Sequence, residues 1–458
     1  MRPIRLTSGS VDPFVALRAE LELPGTFPDD VVAEAEASAR SPRLPSTDLT
    51  HVEFVTIDPP GARDLDQAMA LSRSQDGFRV RYAIADVAAF VMPGGAVDRE
   101  AHARGLTLYS PDSKVPLHPP ALSEAAASLL PDVDRPAVVW TLDLSSDGGL
   151  VQTHVERAMV RSRAQLDYSA GDSVPFLDVI GKLRIERERE RGGAHLPLPQ
   201  QEVASVDGSW HVRYRAGVPA EDWNAQISLL TGMAAAELMV GAGTGVLRTV
   251  PSPDPRDVDR LRLSAGVLGA PWPDDVAYAQ WVSGLDPANP GHAALMHHAT
   301  TLLRGATYVA FDGELPAPEA RRHFAIAAEY AHVTAPLRRL VDRYALECCL
   351  AACAGEPVPD WVRTALPALP EEMTAAGRRA SKLERSVVDL VEAQVLAGRV
   401  GEVFDGVVID EDPGTIALAD PAVRARLDGD GLVPGATVRA TLAEADPVTR
   451  RVRFTAPA

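Results

Sequence analysis

Apolar residues change their spacing twice along this chain, which restricts the elements it can build. Up to about residue 165 they alternate or run in short apolar stretches: HVEFVTI over 51–57, RVRYAIADVAAFV over 79–91, PAVVWTLDL over 136–144 and LVQTHVERAMV over 150–160. Side chains of a strand alternate between its two faces, so these segments are predicted as strands. Ser145-Ser146-Asp147-Gly148-Gly149 joins the last two as a hairpin. From about 176 to 398 the period lengthens to three and four, over 176–191, 222–240, 294–305, 335–354 and 371–398. The last is the clearest, with Met373, Ala376, Ala380, Leu383, Val387 and Leu390 on one helical face. After Gly398 alternation returns in GVVID, GTIALA, ATVRATL and RVRFTA, cut by Gly and Asp turns. The pattern predicts an α+β chain whose last 60 or so residues form a five-stranded barrel of OB type. Before the first strand, two short helices are expected, about Asp12–Leu21 and Asp29–Ala39, split by Pro24-Gly25. The expected division is therefore 1–45, 46–397 and 398–458.

Composition narrows the function classes. Of 458 residues, 46% are hydrophobic and 24% charged, which excludes a disordered, collagen-like or rod-like chain. No run approaches 18 uncharged apolar residues and the first residues lack a secretory core, so no membrane span or leader is expected. Cys348, Cys349 and Cys353 cluster without a disulfide or CxxC pattern, so the expected home is a reducing cytoplasm. With 45 Lys+Arg against 63 Asp+Glu, the net charge is −18. That excludes a protein that coats polyanions by overall charge, but not an enzyme that confines positive charge to a channel. Only Lys114, Lys182 and Lys382 are lysines, so phosphate contacts are expected to come from arginine.

Two segments carry chemistry. In Ile57-Asp58-Pro59-Pro60-Gly61-Ala62-Arg63-Asp64-Leu65-Asp66-Gln67-Ala68, three carboxylates fall within nine residues at the junction of two strands. If 64–68 is extended, Asp64 and Asp66 share a face and Asp58 reaches it across the Pro-Pro-Gly turn. Converging carboxylates repel unless a cation offsets them, and oxygen donors without His or Cys suit Mg²⁺ or Mn²⁺. The plain alternative is a solvated acidic turn. In Tyr330-Ala331-His332-Val333-Thr334-Ala335-Pro336-Leu337-Arg338-Arg339-Leu340-Val341-Asp342-Arg343, Thr334 is expected to cap a helix with Pro336 in its first turn. Arg338 would then lie beside free backbone N–H groups, an anion site. The plain alternative is an ordinary helix start with salt bridges.

Together these segments resemble the catalytic domain of the ribonuclease II family of exoribonucleases. The acidic segment is similar to that family's D-x5-D-x-D-D-A stretch, and Tyr82–Val91 to its AIADV strand. Asp98–Tyr109, Val115-Pro116-Leu117-His118-Pro119, Leu122-Ser123 and Ser128-Leu129 resemble its next conserved runs, and Thr334–Arg339 its TSPIRR. The resemblance spans about residues 25–395 and is weakest between 170 and 320.

It implies an RNB-type catalytic domain, antiparallel sheets packed with helices around a channel, followed by an RNA-binding-type OB barrel. It implies hydrolysis of single-stranded RNA from the 3′ end to nucleoside 5′-monophosphates, with Mg²⁺ as cofactor and Mn²⁺ as a substitute. Residue by residue, Asp58, Asp64, Asp66 and Gln67 match the metal positions, with Asp66 and Arg338 as the catalytic pair. Tyr109, Tyr168, His195, Arg338, Arg339 and Glu384 are the expected RNA contacts. The expected partner is RNA alone, with the chain acting as a monomer.

Three departures qualify this. Gln67 stands where the family usually has an aspartate, Asn224–Gly232 lacks paired glutamates, and the stretch from His195 lacks an aromatic. Only about 45 residues precede the catalytic region, so the family's tandem cold-shock barrels are expected to be missing. Residues 402–458 hold ten acids and six arginines, a poor phosphate surface by composition. The departures motivate an alternative: a catalytically weakened RNA-binding or regulatory protein that keeps the fold.

Overall fold

A computed structural model describes residues 13–194, 200–206, 209–215, 217–286 and 289–457. The alternating segments of the first third form β1 (Phe54–Ile57), β2 (Gln67–Arg73), β3 (Gly77–Ala85), β4 (Asp134–Ser145) and β5 (Leu150–Leu166). They pair in that order, antiparallel, and a parallel pairing of β5 with β1 closes a barrel. The expected antiparallel sheet is thus bent round on itself. Both faces of its strands are covered. Val80, Tyr82, Ile84 and Trp140 pack against helical residues such as Ile227, Leu230 and Tyr344. Ala83, Ala85 and Val139 pack against Val31, Phe90 and Leu122. Burial on both faces explains why Tyr82–Ala85 and Val87–Val91 run without charged residues, while Arg79 and Arg81 at the start of the strand stay partly exposed.

The helix Pro219–Ala242 crosses this core, with Leu340–Ala354 beside it. Pro219–Ala242 is long and apolar enough by composition to cross a bilayer, but it carries Glu221, Asp222 and Glu237, and half of its apolar window is buried inside the protein. Gly232 lets another segment approach this helix. A Cβ there would lie 2.1 Å from the Tyr330 ring and 2.6 Å from the Ala331 carbonyl. The Ala331 N–H donates to the Gly232 carbonyl at 3.0 Å, which seats the chain just before the second chemical segment.

The second barrel is β6 (Val403–Glu411), β7 (Gly414–Leu418), β8 (Arg424–Asp428), β9 (Thr437–Asp446) and β10 (Arg451–Thr455). Its order is β6-β7-β8-β10-β9, with only β8 and β10 parallel, which is the OB arrangement expected. The helix Leu369–Leu396 leads into it, and Leu383, Val387 and Leu390 join the cluster that holds Phe404, Ile416 and Phe454. The two N-terminal helices, Pro13–Glu20 and Asp29–Arg40, separate. Phe14 and Leu17 pack with the second barrel's cluster, while Val31 and Ala35 pack with the first barrel.

One buried acid ties the long helix to its surroundings. Glu392 Oε1 accepts from Gln201 Nε2 at 2.8 Å and from the Arg424 N–H at 2.9 Å. Burial pushes its carboxyl up to about 7 despite those donors. A raised folded-state value means that this stability is complete below the ordinary 4.5 and is lost as pH rises through about 7. Glu392→Gln keeps the acceptor and removes the charge. It is expected to raise the unfolding free energy near pH 8 by roughly 2 kcal/mol and to change little near pH 5. Urea unfolding at both pH values checks this, and equal stability at the higher pH would overturn it.

Candidate active site

The loop from β1 to β2 is pinned along its backbone. The Asp58 N–H donates to the Leu166 carbonyl at 2.9 Å, and Gly61 turns the chain at φ +83°. Leu65 is fully buried, its N–H donates to Ser128 Oγ at 2.9 Å, and its carbonyl accepts from Leu129 at 3.0 Å. The Asp66 carbonyl accepts the Ala85 N–H at 2.9 Å. Asp64 and Asp66 therefore sit on irregular backbone ahead of β2, not on a strand, and their partners differ. Asp64 Oδ1 accepts from Lys114 Nζ at 2.7 Å and Oδ2 from the Tyr109 hydroxyl at 3.2 Å. Asp66 Oδ1 accepts the Leu337 N–H at 2.7 Å, and its Oδ2 lies 3.3 Å from Arg338 Nε.

The expected helix start at Thr334 is corrected to Leu340. The Ala335 N–H is taken by Asp342 Oδ1 at 2.7 Å, the Thr107 N–H donates to the Arg338 carbonyl at 3.0 Å, and Leu340 N–H donates to Gly105. These long-range bonds hold 334–339 as a turn clamped to 105–107, so Arg338 lies outside the helix's first turn. Its side chain is 46% exposed. Arg339 points elsewhere. Asp342 binds it through two oxygens at 2.8 and 2.9 Å, and although burial opposes its charge, that carboxylate holds Arg339 above its ordinary range. The expectation that Arg339 contacts RNA is corrected: its fork is already filled.

Arg338 is the electrostatic centre. Burial pushes Asp58 up to about 6, with Arg338 opposing and Asp64 adding to the rise. Burial pushes Asp66 up to about 7 against Arg338 and the Leu337 N–H. Tyr168 is raised by burial and by Asp58, and it hydrogen-bonds Asn224. Tyr109 is half exposed beside Asp64 and is raised by burial and that carboxylate. Asp58, Asp64, Asp66, Tyr109, Tyr168 and Arg338 thus converge as the sequence predicted.

Gln67 and Glu384, like Arg339, have other surroundings. Gln67 opens β2, and its Oε1 accepts from the buried Tyr82 hydroxyl, which also meets Ser228 Oγ at 2.9 Å. Gln67 therefore shares its amide oxygen with Tyr82, whose hydroxyl itself interacts electrostatically with Asp58 and Arg338. Glu384 is exposed on the long helix and lines a groove with Gln201, Asp389 and Arg424, on the side of the second barrel. His195 lies outside the described residues. Lys114, Tyr82 and Ser228 went unassigned in the sequence. The rarity of lysine was the one signal that could have drawn attention to Lys114.

Residues 46–174 match the RNB domain, and residues 402–456 match the RNase II-type exonuclease C-terminal S1 domain. These matches identify an RNB domain and an RNase II-type C-terminal S1 domain within the chain. The chain is 27% identical to ribonuclease R of Escherichia coli (strain K12) over 439 residues, covering 86% of this chain and 52% of that protein. The chain spans about half the length of the curated relatives it matches. Its fold is similar to Mycoplasma genitalium RNase R in complex with ribose methylated single-stranded RNA, with TM-score 0.86 and 19% identity, covering 97% of this chain and 78% of that one. It is also similar, at TM-score 0.69 and 16% identity, to yeast Ssd1, a pseudonuclease, covering 92% and 54%. Fold alone therefore does not decide activity within this architecture.

The two neighbouring arginines should separate in experiment. Arg339→Ala strands the fully buried Asp342, so urea unfolding should show a loss of about 3–5 kcal/mol. Arg338→Ala leaves Asp66 with the Leu337 N–H and able to take up a proton, its carboxyl already being raised to about 7, so it should cost less, under about 2 kcal/mol. Equal losses would contradict these assignments.

Proposed function

We propose that this chain is a 3′-to-5′ exoribonuclease that hydrolyses single-stranded RNA to nucleoside 5′-monophosphates. The observation that carries this is Arg338, half exposed and set between the buried carboxylates of Asp58 and Asp66, with Tyr109 and Tyr168 alongside.

The donor set fits a divalent cation. Burial raises Asp58 and Asp66 because their charge lacks full compensation, and the donors are all oxygen. Among the described residues no three acidic, His or Cys side chains gather into a complete metal cage. Mg²⁺ is commonly held by one or two carboxylates together with substrate phosphate and water, so a cage is not required. Asp58 and Asp64, with Asp66 beside them, are the residues assigned to hold Mg²⁺ or Mn²⁺. When bound, the ion supplies charge neutralisation on the phosphate and an activated water.

The chain's own groups do the rest. Arg338 presents a guanidinium to the scissile phosphate, where a charge-assisted pair is strong. Asp66 orients Arg338 through Nε and so leaves the two terminal nitrogens for the phosphate. Tyr109 and Tyr168 offer ring faces to the terminal bases, a grip tolerant of sequence. Asn224 fixes Tyr168 from the core helix. On the second barrel Arg424, Arg426, Arg450, Arg451 and Arg453 line one groove of about 570 Å³ together with Asp389, Glu392 and Glu444, and there Arg426 and Arg453 pair with Asp428 and Arg450 with Glu20. We assign this groove to guiding RNA, and the chain to the cytoplasm as a monomer without a required protein partner.

The weakened, RNA-binding reading keeps one specific support. Gln67 brings no charge to the site and its oxygen is held by Tyr82. A time course on a 5′-labelled single strand with Mg²⁺, and again with EDTA, separates the readings. The expected result is a ladder that shortens from the 3′ end only with metal, releasing 5′-monophosphates. Internal fragments appearing first, or a circular RNA cut at comparable speed, would rule out the exonuclease. Asp66→Asn should lower kcat roughly a hundredfold or more while RNA binding persists. Near-normal turnover in that variant, once shown to be folded, would remove Asp66 from the mechanism.

A further inference from the structure

Lys114 is one of three lysines in the chain, and it is fixed inside the aspartate site. Its ammonium lies 2.7 Å from Asp64 Oδ1 and 3.0 Å from Glu124 Oε1, with the side chain 25% exposed. It stands on a two-residue strand, Lys114–Val115, directly opposite Tyr109. That one small ladder therefore serves both oxygens of Asp64: the ammonium on Oδ1 and the phenol on Oδ2. Asp64 is the most fully partnered carboxylate of the centre.

The fixed charges can be counted. With every carboxyl ionised, the state a bound cation favours, Asp58, Asp64, Asp66 and Glu124 bring four negative charges, and Lys114 and Arg338 bring two positive ones. Two negative charges remain, which a single divalent cation neutralises. Gln67 adds none. A second divalent ion would leave the centre positive before RNA arrives, and to reach Asp64 Oδ1 it would have to displace the ammonium now 2.7 Å away. Two cations at that spacing repel strongly in a partly buried site.

We propose that Lys114 is a built-in cation of this centre, holding Asp64 where a second metal ion would otherwise be needed, so that the chain works with one divalent ion. The inference rests on the assignment of a metal to these aspartates. Lys114 is a positioning residue: it acts through Asp64 and touches neither RNA nor the reacting phosphate.

The test is a Mn²⁺ titration of the full chain, with free ion followed by electron paramagnetic resonance. The expected count is one Mn²⁺ per chain in the parent, one in Lys114→Arg, and two in Lys114→Met, where Asp64 and Glu124 lose their shared cation. Lys114→Gln, polar but neutral, provides the same comparison should the Met variant fold poorly. A purely structural lysine would shift melting temperature without changing the ion count. Two ions in the parent, none in the parent, or one in both neutral variants overturns the proposal. Its fate is separable from that of the exoribonuclease reading. A parent that binds one ion and gains a second in the neutral variants, yet shortens no RNA, sinks the activity and leaves Lys114 in its role. A parent that shortens RNA with two ions bound does the reverse.

Discussion

The carboxylate of Asp66 joins two segments 271 residues apart in sequence. It takes the Leu337 N–H on one oxygen and faces Arg338 with the other, while its own carbonyl is tied to Ala85 at the end of β3. The barrel rim and the turn before Leu340–Ala354 therefore fix each other through one residue. The arrangement is costly in isolation, because a buried carboxylate loses its hydration. Burial raises Asp66 to about 7, so its ionised form depends on Arg338 and the N–H being in place. Neither half of the site is complete without the other, although the aspartates are local in sequence and the arginine is not.

Further ion pairs hold that joint in register. Helix Leu340–Ala354 carries Asp342, Arg343 and Glu347 on buried positions, and each meets a different segment. Asp342 closes the turn through Ala335 and Arg339. Arg343 pairs with Asp98 and donates to the Val91 carbonyl at 3.1 Å. Glu347 pairs with Arg157 on β5, which also holds Asp86 at 2.8 Å. Buried pairs of this kind add little net stability relative to an apolar core, but a misregistered helix would leave several charges unpaired at once. We read them as fixing where Arg338 emerges, and the filled fork of Arg339 is a by-product of that function.

Legibility in the sequence follows the range of the interaction. The strands of the first third, the C-terminal barrel and the long helix were readable because alternation and the three-four period report burial directly, and Met373 through Leu390 fall on the buried face as the spacing required, whereas the parallel pairing that closes the first sheet into a barrel was not. The helix at Thr334 was misplaced because local capping chemistry is real but loses to Thr107, Gly105 and Asp342, which are distant in sequence or across the turn. The separation of the two N-terminal helices was invisible for the same reason: amphipathic spacing says which face is buried, not against what. Within the site, carboxylates and arginine announced themselves by type and clustering. Gln67 did not announce Tyr82, since a neutral amide beside an aspartate pair reads equally as a ligand or as a hydrogen-bonding group. Only the register of β2 against β3, with Gln67 opposite Ile84 and Tyr82 two residues earlier, brings its amide to the Tyr82 hydroxyl.

Charge placement reconciles an acidic chain with a polyanionic partner. On the exoribonuclease reading, RNA must approach a protein of net charge −18. Many of its arginines are already committed, for example Arg79 to Asp143, Arg161 to Asp134, Arg187 to Asp147 and Arg363 to Asp312. General electrostatic attraction, which depends on the number of phosphates neutralised, is therefore weak here. Positive charge faces RNA at Arg338 beside the aspartates and in the groove of the second barrel, where three of five arginines are already paired with acids. Between such points, grip must come from ring faces such as Tyr109 and Tyr168 and from the shape of the passage. An enzyme built this way discriminates by threading. A free end that reaches Arg338 gains its strongest contact there, while a strand lying across the outside meets mostly carboxylates.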